Sequence, residues 1–312
     1  MTAKKRVPRK AKSSPDFPRL ASQFVQASRN ESPCKLPGGL YVVATPIGNL
    51  GDISLRALLT LASADEVACE DTRVTGGLLA RYGVKAKLVP YHDHNADEMR
   101  PHVLRKIEGG AAIALVSDAG MPLIADPGFK LVRECREKGF AVTVVPGANA
   151  ALTALAGSGL PTDHFTFIGF LPPKFAARRV TLEKLRAVPV TMVFYEAPQR
   201  LKGALADMAE ILGPRPAAVA RELTKLFEET RRGTLAELAA HYAVAAIKGE
   251  IVIIIGPPGE ESAHAAPDIY SLLERSLRDN SLRDAVALVS GATGARKSEV
   301  YARALKLAKG KP

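Results

Sequence analysis

The sequence predicts two α/β domains in tandem followed by a small helical region, and three observations lead there. Apolar runs of strand length recur between residues 40 and 256, stretches with helical apolar spacing separate them, and after residue 256 the helical pattern continues without strand-like runs. A chain of 312 residues with 47% hydrophobic content is long enough for two cores of this kind.

Residues 1–37 are rich in Lys, Arg, Ser and Pro and lack helical apolar spacing, so they are expected to be a disordered basic tail. The N-terminal α/β domain, 38–157, takes its strands from LYVVAT (40–45), EVACE (66–70), AIALVS (112–117) and AVTVVP (141–146), with helices near 52–63, 97–109 and 127–138. Near-continuous apolar strands alternating with helices predict a mainly parallel sheet covered on both faces. A junction around 150–163 leads into the second domain, 158–260. Its strands are HFTFIGFL (164–171), VTMVFY (190–195), AAVARE (217–222) and EIVIIIG (250–256), and its helices lie near 176–187, 199–212 and 234–246. Residues 262–312 place an apolar helix, a Gly-containing turn and a basic helix in succession, as a helix-turn-helix does.

Charge is unevenly spread. Of the net +11, residues 1–35 carry +7 and residues 262–312 carry +4, while the intervening 226 residues balance 25 basic against 25 acidic side chains. Basic ends on a neutral body suit a polyanionic partner, nucleic acid above all, although a solubility tail and a solvated helix would look the same. The apolar runs are far shorter than the ~20 residues of a membrane helix, so no membrane association is expected. Three widely spaced cysteines, Cys34, Cys69 and Cys135, fit free thiols in a reducing compartment and point to the cytoplasm.

In open α/β sheets ligands bind at the carboxyl ends of strands, and the unusual loops of this chain all follow strands. They are ATPIGNLGD (44–52), CEDTR (69–73), SDAGMPLIADPG (117–128), PGANAA (146–151), YEAPQR (195–200), RELTK (221–225) and KGE (248–250). None is a G-x-G-x-x-G or Walker loop, which disfavours dinucleotides and triphosphates. Carboxylates, glycines and prolines without a Lys or Arg cradle suit a ligand that carries positive charge.

The motifs LYVVATPIGNLGDISLRAL, EDTR, YHDHN, SDAGMPLIADPG, VVPGANAALTALAGSGLP, GFLP, FYEAPQR, ARELTK and KGEIVIIIG occur in an order that resembles the tetrapyrrole methylase superfamily. Within it they are most similar to the branch that methylates ribose 2'-hydroxyls of small-subunit ribosomal RNA. The resemblance covers about residues 38–256. It implies two α/β domains with S-adenosylmethionine bent into the cleft between them, and no metal.

By the same resemblance Pro46 and Gly48 would line the first loop, and Gly120, Met121, Pro122 and Ile124 would contact the methionine part of the donor. Asn149 and Ala150 would approach from the next strand end. Tyr195, Glu196, Arg221, Glu222, Leu223 and Gly249 would enclose the adenosine. Met121 stands where many relatives carry Thr. The implied reaction is methyl transfer to a decoding-region cytidine of 16S rRNA in the 30S subunit, by a homodimer.

A ribose hydroxyl needs a base or a cationic neighbour, and Glu70, Asp71, His92, Glu196 and Lys225 are the candidates in the loops, with no choice among them from sequence. His92 and His94 would share one strand face, a spacing that could ligate metal but lacks further ligands; polar or acid/base work suits them better. Asp71 or Thr72 could instead cap a helix. Arg73, if it faces the cleft, and Lys174, Arg178 and Arg179, directly after a strand end, are the candidate RNA phosphate contacts; a plainly solvated helix is the alternative for 172–186. Two other functions stay open: a methyltransferase acting on a tetrapyrrole, and a non-catalytic helix-turn-helix nucleic-acid-binding protein.

Overall fold

The structure is a computed structural model that describes residues 16–31, 35–126, 128–245, 247–259, 273, 276–277, 281–293 and 295–309. Two five-stranded sheets form the body. The first contains β1 (Gly39–Val43), β2 (Glu66–Cys69), β3 (Leu88–Pro90), β4 (Ala112–Val116) and β5 (Val142–Val145) in the order β3-β2-β4-β1-β5. Every pairing in it is parallel. The central strands β1 and β4 are buried at every position, as expected for Val-, Leu- and Ile-rich strands covered by helices on both faces. Those helices are α2 (Leu55–Ser63), α3 (Thr72–Arg81), α4 (Ala96–Glu108) and α5 (Phe129–Glu137). Ser54 starts α2 by accepting the Ala57 amide, and Asp71 starts α3 by accepting the Arg73 amide.

The tail expectation needs correcting. Residues 17–31 form a helix, α1 (Phe17–Glu31), that buries Ala21 and Val25 in the first sheet's core beside Tyr82 and Leu58. Its apolar residues Phe17, Ala21, Phe24 and Val25 recur at helical spacing, but the prolines around them mask the pattern, and burial against α2 supplies the stability that propensity does not. The rest of the expected tail, 1–15 and 32–34, lies outside the described residues.

Helix α6 (Ala150–Ser158) occupies the expected junction. It packs Ala151, Ala154 and Leu155 against Val193, Ala218, Val252 and Ile254 of the second sheet. That sheet has the order β6-β7-β10-β8-β9, from β6 (Phe165–Phe170), β7 (Thr191–Glu196), β8 (Pro216–Arg221), β9 (Glu229–Thr234) and β10 (Ile251–Ile255). Only β6 and β7 run parallel; β10 is antiparallel to both β7 and β8, and β8 to β9. The second sheet is therefore mixed rather than mainly parallel. Helices α7 (Phe175–Leu185), α8 (Pro198–Leu212) and α9 (Leu235–Val244) cover its other face. Beyond it, α10 (Leu282–Thr293) and α11 (Lys297–Lys309) close a small cluster of Leu273, Val286, Val289, Val300 and Ala304.

Candidate active site

The carboxyl ends of β1, β2, β4 and β5 open toward one edge of the second sheet, and a cleft of about 440 Å³ lies between them. That is within the usual size of a small-molecule site, roughly 300–1,000 Å³. The first-domain loops are held to each other by backbone. Thr45 and Gly120 exchange amide-to-carbonyl hydrogen bonds of 2.9 and 3.2 Å, and the Thr45 hydroxyl donates to the Ser117 carbonyl. Gly120 sits at φ 86°, where a Cβ would come within 3.1 Å of the Ile47 side chain. Gly147 lets the fourth loop approach Ala44, whose Cβ would be 2.9 Å from an added one. Leu123 and Ala125 are non-glycine residues at φ 75° and 67° in the same wall, and such strain concentrates at ligand sites. The density of Gly, Pro and Asp in residues 117–128 thus has a physical use: backbone folded tightly enough to form a wall.

The second sheet meets this wall through residues 222–225. The Asn49 amide donates to the Thr224 hydroxyl, and the Lys225 stem lies where a Cβ on Gly48 would be. Lys225 pairs with Glu222 at 2.9 Å and with Glu250 at 3.2 Å.

Of the donor residues expected from sequence, Gly120, Met121, Ile124, Asn149, Ala150, Tyr195, Glu196, Leu223 and Gly249 line the cleft. Pro46, Gly48, Pro122, Arg221 and Glu222 are not among the lining residues: Arg221 pairs with Glu229, and Glu222 accepts the Glu250 amide and holds Lys225. The Asn149 side chain is spent on capping α6, accepting the Leu152 amide at 3.0 Å.

Of the catalytic candidates, Glu70 and Glu196 line the cleft, and Asp71, His92 and Lys225 do not. Asp71 caps α3 and grips Arg73 through both carboxylate oxygens, which holds its carboxyl well below the usual carboxylate range and makes it a poor base. Residues 93–95 form a turn, and His92 and His94 are not in a strand, because Asn95 ties the His92 amide to its side chain. Glu196 is buried, accepts the Ala197 amide and pairs with Arg200 at 2.7 Å.

The RNA candidates need the larger correction. Arg178 is buried and pairs with Asp207 at 2.6 Å, and Arg179 divides itself between Asp207 and Glu210. Both guanidiniums pin α7 to α8. Lys174 is exposed ahead of α7, and Arg73 is exposed but engaged with Asp71.

The sequence reading passed over Asp118, Asp126, Glu250 and Phe170, which also line the cleft. Two Asp in one conformationally restricted stretch were the available signal. Glu70, Asp118 and Asp126 have no ion-pair partner among the described residues, and no Lys or Arg lines the cleft. Burial, then the charges of Asp118 and Asp93, raises the Glu70 carboxyl, with His92 opposing. Burial foremost pushes Asp126 up to about 6, against a hydrogen bond from Ser117. The result is an acidic pocket in which three of the five lining carboxylates, Glu70, Asp118 and Asp126, have no ion-pair partner among the described residues, while Glu196 and Glu250 are paired.

The tetrapyrrole (corrin/porphyrin) methylase profile matches residues 39–239, the span that builds the first sheet, four of the five strands of the second and most of the cleft. The chain belongs to the tetrapyrrole methylase family. A second profile, the RsmI C-terminal HTH domain, matches residues 263–308, in agreement with α10 and α11. A ribosomal RNA small subunit methyltransferase I of Mesorhizobium japonicum is 50% identical over 87% of this chain and 93% of its own length. Its namesake in Halalkalibacterium halodurans is 52% identical over 72% of this chain and 78% of its own. Among solved structures, a uroporphyrin-III C-methyl transferase from Thermus thermophilus complexed with S-adenyl homocysteine superposes with a TM-score of 0.51 at 20% identity, over 73% of this chain and all of that one. At that identity the likeness supports the family's fold. Among the described residues no helix is long and apolar enough to cross a membrane, and no group of His, Cys, Asp or Glu gathers as metal ligands.

Proposed function

We propose that this protein is a methyltransferase that uses S-adenosylmethionine to methylate small-subunit ribosomal RNA, at the ribose 2'-hydroxyl of a decoding-region cytidine. It acts in the cytoplasm, on 16S rRNA in the 30S subunit, as a homodimer. The observation that carries this reading is the acid-lined cleft in a chain about half identical to relatives of that name along nearly their whole length.

S-adenosylmethionine supplies a methyl group activated on a sulfonium, with an ammonium at the far end of the same ligand. A pocket with uncompensated Glu70, Asp118 and Asp126 and no competing cation fits such a ligand electrostatically. The backbone-paired loops at Thr45 and Gly120 give it a rigid floor, so this chain's contribution is alignment: acceptor oxygen, methyl and sulfur in line, which can supply a large share of the acceleration. Of the two candidates on the wall, Glu196 is committed to Arg200. Glu70 has no ion-pair partner among the described residues and its raised carboxyl makes it the stronger base, so Glu70 would take the 2'-hydroxyl proton as the oxygen–methyl bond forms and the methyl–sulfur bond breaks, the electron pair returning to sulfur and S-adenosylhomocysteine leaving.

The reading is tested by incubating the purified protein with labelled donor and 30S subunits from cells lacking the gene, with a uroporphyrinogen as the second substrate. Label confined to one ribose of 16S rRNA is the expected result. Label in the macrocycle instead would overturn it.

Two further outcomes follow from the site. Asp126→Asn should weaken donor binding at neutral pH by about fivefold, because an ionised carboxylate beside a sulfonium is lost. In the wild type, Asp126 is ionised above about 6 and neutral below it, so donor affinity should rise with pH through that value, and the Asn variant should lose this step. Calorimetry across the range would show it; an identical pH profile in both proteins excludes Asp126 as the group. Gly120→Ala places a side chain at φ 86° against Ile47, with strain of about 1–2 kcal/mol. Donor affinity should fall about tenfold while the circular dichroism spectrum is retained.

A further inference from the structure

Beside the residues expected to enclose the adenosine, the second-domain wall of the cleft carries an aromatic ring, Phe170, that has no part in the donor contacts or the proton transfer set out above. Phe170, the last residue of β6, lines the cleft with 54% of its surface exposed. An apolar ring so open beside an acidic pocket costs solvation unless something covers it.

Its orientation is built. The pairing of β6 with β7 shifts register between Phe167 and Gly169, and Gly169 sits at φ 75°. Bulges of this kind re-aim the following side chain and recur beside active sites. The ring is then held from two directions. Tyr195 meets it edge-on at 5.6 Å, itself braced by Phe167 at 5.0 Å. The Arg200 guanidinium lies over it at 5.8 Å, fixed by its pair with Glu196. The Arg200 Nε is buried and has no hydrogen-bond partner.

We infer that Phe170 is the stacking platform for the base of the acceptor nucleotide, with Tyr195 and Arg200 as its positioning residues. The inference rests on the RNA reading above and deepens it. Bases read by proteins in single-stranded or extruded form stack on aromatic rings, because each base offers a π-face whatever its edge. A ring fixed by an edge contact and a cation can receive a base on its open face without losing rotamer freedom. Stacking there would seat the ribose at the mouth of the cleft, where Glu70 and the donor meet it.

The test compares Phe170→Ala and Phe170→Trp with the wild type, using 30S subunits as acceptor and S-adenosylhomocysteine as the probe of the donor site. Phe170→Ala should raise the acceptor KM or lower kcat/KM by about tenfold or more, the usual loss of one base–aromatic stack. Phe170→Trp should restore most of it, and the S-adenosylhomocysteine Kd should stay within about twofold of wild type in both. A drop in S-adenosylhomocysteine affinity for Phe170→Ala would assign the ring to the donor and overturn the inference, as would an unchanged acceptor KM and kcat/KM. A wild-type protein that methylates no rRNA sinks the RNA reading itself, which separates the two failures. Retained S-adenosylhomocysteine binding also reports that the variants are folded.

Discussion

Glu70→Gln is expected to lower kcat by about a hundredfold at saturating donor and acceptor, the usual contribution of a positioned general base. Gln keeps the volume and the hydrogen-bonding capacity but cannot take a proton at neutral pH. The surroundings are what make Glu70 suitable. Burial, then Asp118 and Asp93, raises its carboxyl from the ordinary value, with His92 opposing, and no Lys or Arg among the described residues pairs with it. A stronger base results. The wild-type kcat should accordingly fall on the acid side below a point higher than the ordinary carboxylate value, and the Gln variant should lack that limb. Glu70 also contributes charge to the donor pocket, so donor affinity should weaken modestly. The two roles separate kinetically: a raised donor KM with kcat preserved would leave Glu70 an electrostatic group only and reject it as the base.

Arg178→Ala is expected to lower stability by about 3 kcal/mol while leaving RNA affinity unchanged. Both partners of the Arg178–Asp207 pair are about nine-tenths buried, and removing the cation strands Asp207 between α7 and α8. The remaining 3.2 Å contact from Arg179 offsets part of the loss, which places the effect at the low end for a broken buried pair. Replacing both members with apolar residues of similar volume, Arg178→Met with Asp207→Leu, should recover much of the stability, since no charge is then left uncompensated. Urea melts of the three variants and salt-dependent RNA binding of the single one would check this. A variant that melts like the wild type yet binds RNA more weakly would restore Arg178 to the RNA surface.

That residue shows where sequence reading reaches its limit. The run PPKFAARRVTLEKLR announces positive charge after a strand end, and nothing local tells that one arginine turns inward. Its partner, Asp207, is 29 residues away on another helix. The same holds for Asp71, whose role as a helix cap depends on where α3 begins, and for Lys225, which is absorbed by Glu222 and Glu250. Helix α1 escaped because its apolar spacing is diluted by Pro and Arg and becomes decisive only when Ala21 and Val25 find a surface to cover.

The strand-and-helix alternation and the position of six of the seven motif loops at the carboxyl ends of strands were legible in the residues, because periodicity and turn chemistry are local properties of the chain; KGE instead precedes β10, which brings its amino end to the cleft because it runs antiparallel to β7 and β8. Nine of the donor residues named from those loops do line one cleft. Strand direction in the second sheet was not legible: a strand buried on both faces, such as IVIII of β10, has the same apolar pattern whether its neighbours run with it or against it. Nor was the choice between Glu70 and its rivals, or the aim of Phe170 through a bulge. Those depend on which groups the fold brings within a few ångströms and which it withdraws from water, and both are set by contacts between residues far apart along the chain.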